Sequence, residues 1–274
     1  MPVDRATWNG ALGAARTPPQ TILMKAVAEQ LPPNPPRSSG SGAFKVQGAD
    51  GQIWWIKPVN NPQGPKVPIN ELIVARLGAL IEAPLCEVGV IEIPDAFAGV
   101  KYRDDRSLEA GLASGSMNLD GVVEVKGPPV DRDKADNARR HAGIFAVYDW
   151  CWGSDEQFLY EQDEKRRTTY SHDHGHYFPG GPNWTADTLA ANVDSAHEMS
   201  NPVGLDPRAV RDYAKRLREV TRSDITGVLC GVPSEWAVAT PELETLGWFL
   251  ERRAEAVAAR LDRIAETLTG GSAP

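Results

Sequence analysis

Apolar residues recur along this chain at two spacings, and the change from one to the other marks out the expected elements. Residues 44–47 and 53–57 are short runs rich in aromatic and β-branched side chains. Ala49-Asp50-Gly51 lies between them, so the stretch reads as two strands around a turn. In residues 69–81 the positions Ile69, Leu72, Ile73, Leu77, Leu80 and Ile81 return every three to four residues, which predicts an amphipathic helix. Ala83-Pro84 breaks it, and residues 86–93 read as a strand closed by Pro94. Residues 122–125 carry a further strand signal. Residues 135–150 read as a helix with Ile144, Phe145, Val147 and Tyr148 apolar. Two later helices open on cap-then-proline pairs. One starts at Asp206-Pro207 and runs to about residue 220; the other starts at Thr240-Pro241 and runs to about residue 267. Residues 21–27 fit a strand or one face of a helix, and periodicity does not decide between them.

This order suggests a division of the chain. Residues 1–19 are polar and proline-bearing and read as a flexible arm. Residues 20–105 form an N-terminal unit of strands with one helix, residues 106–269 a mainly helical unit, and residues 270–274 a frayed tail. Inside the first unit a proline-rich stretch runs into Arg37-Ser38-Ser39-Gly40-Ser41-Gly42. Nothing on Gly40 or Gly42 blocks a close approach, so the backbone amides there can lie over phosphates. Taken alone, such a loop is more often a plain turn.

Composition narrows the class. Among 274 residues, 41% are hydrophobic and 24% charged, an ordinary balance for a globular protein. The net charge of −8 argues against a general nucleic-acid or anionic-membrane surface. Cys86, Cys151 and Cys230 are odd in number and lack CxxC spacing, which suggests a reducing compartment without a disulfide frame. The first ten residues are polar, and no apolar run approaches the roughly 20 residues of a membrane span. The expectation is a cytoplasmic protein.

The densest chemistry lies in two neighbouring stretches. One is Tyr170-Ser171-His172-Asp173-His174-Gly175-His176-Tyr177-Phe178; the other runs from Trp150 to Tyr160 and holds Asp155. Read as two strands or loop arms joined by a hairpin, they hold Asp155 and Asp173 over one cleft. Such a pair can supply a general base and a metal ligand. Lys57 closes an aromatic strand, where its amine can meet phosphate or simply be solvated. Glu71 lies in the expected first helical turn, where it either favours the helix dipole or orients Lys57. His172, His174 and His176 alternate, so on a strand all three share a face and suggest zinc. A straight strand spreads them over about 13 Å at roughly 3.3 Å per residue, too far for one ion. Each histidine alone is most often a core residue bonded to a backbone carbonyl.

Taken in order, Gly40-Ser41-Gly42, Asp50-Gly51, Trp55-Ile56-Lys57, Asn70-Glu71-Leu72, Ala83-Pro84, Trp150 before Asp155, and Asp173-His174-Gly175 resemble the HipA-like kinases. These are compact relatives of protein and phosphatidylinositol kinases, and the resemblance covers roughly residues 20–260. It implies an α+β, two-lobed protein-kinase-like fold, with a small antiparallel-sheet lobe bearing one helix and a mainly helical large lobe. It implies ATP and Mg2+ as cofactors. Lys57 would then hold the phosphates, Glu71 would orient Lys57, and Ser39, Gly40, Ser41 and Gly42 would cover the nucleotide. Asp155 would be the catalytic base and Asp173 a magnesium ligand. The family's metal-binding Asn has no counterpart between Asp155 and Asp173; Gln157 is the nearest amide and the expected second ligand. The implied acceptor is a protein Ser or Thr, and relatives often act with a small companion protein, as in toxin–antitoxin pairs. Ser38, Ser39 and Ser41 are implied phosphorylation sites. A nucleotide-binding pseudokinase, a regulatory partner protein and a histidine-ligated metallohydrolase stay open beside this reading.

Overall fold

The computed structural model describes residues 3–13, 20–27, 40, 42–103, 105–163, 165 and 167–270. In chain order the elements are β1 (Thr21–Val27), β2 (Phe44–Gly48), β3 (Ile53–Lys57), α1 (Val67–Leu80), β4 (Val88–Ile93), β5 (Lys101–Arg103), β6 (Arg106–Ser107), β7 (Gly111–Met117), β8 (Val122–Lys126), α2 (Asn137–Trp150), β9 (Gln157–Glu161), β10 (Thr169–Ser171), α3 (Ala186–Asn192), α4 (Pro207–Glu219), α5 (Arg222–Cys230) and α6 (Thr240–Gly270).

Alternation decides what β3 does. Trp54 and Ile56 point into a closed barrel of order β1-β2-β3-β7-β4, while Lys57 lies on its outer side. Met24, Phe44, Val46, Ile91, Ile93 and Ala113 complete that interior. The expected sheet is antiparallel, but β1 and β4 pair in parallel, Ile22 opposite Ile91. A parallel pair needs a long connection, and the chain between these strands supplies one. Closure leaves the barrel without a free edge. It also settles residues 21–27 as a strand.

The expected boundary at 105/106 separates β7 from the barrel, yet β7 is hydrogen-bonded into it between β3 and β4. Its small residues hide it in the sequence. They are small because a Cβ on Gly115 would lie 2.5 Å from Ile91 Cγ1. α1 is buried on nearly every side, packed against β4 and β7 and against α2 and α5. Leu80, expected on its apolar face, is exposed instead.

A second and larger core joins α1 to α2, α4, α5 and α6. At its centre Asp149, near the end of α2, is buried with two arginines from α6. Arg253 Nη2 lies 2.8 Å from Asp149 Oδ1 and Arg260 Nε 2.6 Å from Oδ2. A lone buried carboxylate would be costly; paired and hydrogen-bonded, it fixes the register of α2 on α6.

Residues 3–13 are not the loose arm expected from their polarity. Trp8 is 1% exposed and sits on α6 over Gly247, where a Cβ would come within 2.2 Å of its ring. Its Nε1 donates to Glu251 Oε2 at 2.6 Å. One buried indole holds the segment down despite polar neighbours. At the other end, α6 runs to Gly270, past the expected stop at 267. Among the described residues no helix is long and apolar enough to cross a membrane.

β8, β9 and β10 form a separate antiparallel sheet. Phe158 and Tyr160 of β9 face the larger core, and His141 of α2 meets Tyr160 there, Nε2 to the hydroxyl at 3.0 Å. Burial pushes the His141 pKa down to about 3. The unfolded chain, with an ordinary histidine near pH 6.5, therefore binds more protons between those values. Stability contributed by neutral His141 is full above about pH 6.5 and is lost as the pH falls toward 3. His141→Gln keeps a hydrogen-bonding group and removes the titration. Urea unfolding of this variant between pH 7 and 4 is expected to show a slope against pH shallower by up to about 1.4 kcal/mol per unit. Identical slopes in both proteins would contradict burial of a neutral ring.

Candidate functional site

Lys57 ends β3 on the outside of the barrel, facing α1. Its Nζ donates to Glu71 Oε1 on α1 and, at 2.5 Å, to Asp173 Oδ1 in the turn after β10. Lys57 is 8% and Glu71 3% exposed, so the cluster is largely withdrawn from water. Burial pulls the Lys57 pKa down, but the charges of Asp173 and Glu71 outweigh it and hold the ammonium above its usual range. Burial raises Asp173 in turn, and Lys57 more than reverses this, keeping the carboxylate well below its usual range. Both groups are charged at neutral pH.

Glu71 is not in the first turn of its helix, as expected. α1 begins at Val67-Pro68, two residues earlier than its apolar period suggests, and places Glu71 in the second turn. The dipole explanation for this acid falls away, and its partner is Lys57.

The turn that carries Asp173 is built against α1. β10 stops at Ser171, and Asp173 takes a left-handed φ of 59°, which aspartate tolerates better than most residues. Gly175 then passes so near α1 that a Cβ would lie 2.8 Å from Val67 Cγ1 and 3.3 Å from Glu71 Oε1. Asn70, one position before Glu71, is fully buried. Its Nδ2 donates to the carbonyls of Gly175 at 2.9 Å and Tyr177 at 3.0 Å. Its Oδ1 accepts from Trp184 Nε1 at 2.8 Å. Lys66 extends this clamp, donating to the Trp184 carbonyl at 2.6 Å and pairing with Glu242 at 2.8 Å.

Of the two alternatives, strand or loop arm, residues 172–176 take the second, since β10 ends at Ser171, and the shared histidine face that a strand would give is not formed. His172 Nε2 lies 3.7 Å from Glu124 Oε1, and burial pushes its pKa down to about 4. His174 is buried edge-on to Tyr177, its Nε2 2.9 Å from Ser171 Oγ, and burial pushes its pKa down to about 3. Among the described residues no three His, Cys, Asp or Glu side chains are grouped to hold a metal ion. The histidine-ligated zinc site is therefore not assembled.

Asp155 stands apart from the ion-pair cluster. It is exposed, and among the described residues its side chain has no hydrogen bond or ion pair. The neighbouring Ser154 hydroxyl donates to the His176 carbonyl at 2.7 Å, which ties this segment to the Asp173 turn. Gln157 opens β9, and its Oε1 is buried without a partner among the described residues. Gln157 adjoins Phe158, which pairs with Ser171 two residues before Asp173, and an amide oxygen and an ionised carboxylate are both donor types that suit a hard divalent cation.

Of the small-residue loop, Gly40 and Gly42 are described, and Ser38, Ser39 and Ser41 lie outside the described residues. Gly42 has a φ of 63°, and a Cβ on Gly40 would meet Gln63 Nε2 at 2.6 Å. The structure thus joins Lys57, Glu71 and Asp173 directly, sets Asp155 on an adjoining segment, and leaves Gln157 with an open oxygen. The roles of Asn70 and Lys66 are not marked in the sequence, because each bonds to backbone carbonyls and to a side chain far along the chain, Trp184 and Glu242.

No family profile and no curated protein matches this sequence. Among solved structures the fold is similar to the crystal structure of the Helicobacter pylori proinflammatory kinase CtkA. The TM-score is 0.57, over 93% of this chain and 100% of that chain, at 10% sequence identity. At that identity the likeness is one of fold, and the fold is kinase-like.

Proposed function

We propose that this chain is an ATP- and magnesium-dependent phosphotransferase of the HipA-like kind, acting on a serine or threonine of a protein. The observation that carries the reading is the Lys57 ammonium held between Glu71 of α1 and Asp173 of the turn after β10. In phosphoryl transfer the protein supplies position and charge, and a lysine fixed by a helix glutamate beside a metal-binding aspartate is the arrangement that kinases require.

In this reading Lys57 binds the nucleotide phosphates and Glu71 keeps its ammonium aimed at them. Gly40 and Gly42 would cover the phosphates with their backbone amides. Asp173, ionised well below neutral pH, and the unpaired Gln157 Oε1 hold magnesium. When bound, the metal neutralises charge that develops on the transferring group. Asp155, free on the surface, accepts the acceptor hydroxyl's proton. The acceptor oxygen bonds to the γ-phosphorus as the bond from phosphorus to the ADP oxygen breaks.

One feature favours a second reading, a nucleotide-binding protein without transfer. The metal-binding asparagine that the family resemblance calls for has no counterpart between Asp155 and Asp173, and Gln157, the nearest amide, has a longer side chain that shifts the ligand oxygen. Transfer itself separates the two.

Lys57→Met is expected to abolish the thermal stabilisation given by ATP with magnesium; a retained shift would remove Lys57 from the nucleotide site. Asp155→Asn is expected to keep that shift and lower transfer of γ-labelled phosphate about 100-fold or more, within the range for loss of a general base. Transfer at the native rate would exclude Asp155 as the base. Asp173→Ala is expected to make ATP stabilisation independent of magnesium. If titration with magnesium gives the native curve in this variant, Asp173 is not the ligand.

A further inference from the structure

The segment that carries Asp155 is held from a direction the site does not use. α2 ends at Trp150, and Trp152 turns back with a left-handed φ of 56°. Phe178 fixes this bend from one side, its N–H donating to the Cys151 and Trp152 carbonyls at 3.0 and 3.1 Å. Gly153 follows so close to Tyr148 that a Cβ would lie 2.3 Å from Cδ2 of that ring.

His197, from the stretch between α3 and α4, closes over the bend. Its ring stacks on Trp152 with centroids 4.2 Å apart and planes 12° from parallel, and on Tyr148 at 5.5 Å and 7°. Its Nε2–H donates to the Gly153 carbonyl. Its backbone N–H donates to Asp149 Oδ1 at 3.2 Å, the carboxylate already fixed by Arg253 and Arg260. The imidazole is thus set beside the buried ion pairs that Asp149 makes with Arg253 and Arg260. It presents a single donor to the peptide two residues before Asp155.

Beyond Gly153, the Ser154 hydroxyl ties the chain to the His176 carbonyl. The 153–154 peptide is therefore pinned to the helical body by His197 and to the Asp173 turn by Ser154. Asp155 comes next, and its side chain makes no hydrogen bond or ion pair among the described residues. The position of its carboxylate follows from the backbone, which is held before it by His197, by Ser154 and by the Gly153 N–H on the Tyr148 carbonyl, and after it by the Gly127 N–H on the Glu156 carbonyl.

We propose that His197 is a positioning residue for Asp155: its stack on Trp152 and its bond to the Gly153 carbonyl set where the Asp155 carboxylate stands. The proposal rests on Asp155 being the base, as proposed above. A misplacement of about 1 Å at a reacting group can cost about 100-fold in rate. Nucleotide held at Lys57 and Asp173 does not depend on this contact.

The test uses the full chain with His197→Phe, which keeps a flat ring and loses the donor, and His197→Gln, which keeps a donor and loses the ring. Both are first compared with the native protein by thermal unfolding. Midpoints that fall by more than about 5 °C in both variants overturn the proposal, because the residue is then structural. With the fold retained, His197→Phe is expected to lower kcat about 10- to 100-fold, with KM for ATP unchanged. Amide hydrogen exchange at residues 153–156 is expected to quicken, and His197→Gln is expected to recover part of kcat. Native kcat and native exchange in His197→Phe overturn the proposal. So does a loss carried by KM for ATP instead of kcat. If the native protein transfers no phosphate, the phosphotransferase reading fails by itself. Exchange at residues 153–156 then decides alone whether His197 places the segment.

Discussion

Burying the Lys57 ammonium is costly unless opposite charge is buried with it, and Glu71 and Asp173 bring that charge from two separate elements. The requirement reaches outward from three atoms. β3 must end where it does, because one residue either way turns the amine to the wrong face. α1 must start at Val67 so that Glu71 comes round to the barrel. The chain after β10 must press on α1, which the bare Gly175 permits and the Asn70 amide enforces. Removing Lys57 would leave two carboxylates without a counter-charge in a poorly solvated place, so the cluster is held by mutual need more than by net stabilisation.

The helical body repeats this logic with the signs exchanged. There one carboxylate, Asp149, is shared by two arginines of α6. The two clusters lie at the two ends of one short path. From Asp149 the chain bends through Trp152 and Gly153 to Ser154, which bonds to the Asp173 turn. The barrel and the body are thereby joined across the site by charge and by backbone hydrogen bonds as well as by the continuous packing around α1.

Much of this was legible in particular residues. The alternation around Trp54 and Ile56 announces a strand with Lys57 on its far face, and the Ile69-to-Ile81 period announces α1. What stayed hidden has a physical reason in each case. β7 is written in glycine, alanine and serine, since Trp54 and Ile91 fill the space beside it. α3 and α5 are seven and nine residues long, too short to display a period. Trp8 docks among polar neighbours, so composition misreads residues 3–13. The zinc interpretation of the histidines turned on a strand, which ends at Ser171 ahead of the left-handed Asp173. Asn70 and His197 act on carbonyl oxygens, which every residue carries and no sequence marks.

The cluster around Lys57 also has an arithmetic of its own. One ammonium faces two carboxylates, so the cluster carries an excess of one negative charge before any ligand arrives. A triphosphate approaching alone would meet repulsion from Asp173 at the moment it reaches for the lysine. A cation arriving first, or carried in on the phosphates, cancels that excess and frees the amine from Asp173. On the proposed function, attraction for the ligand is in this sense conditional, and Asp173 is the group that sets the condition.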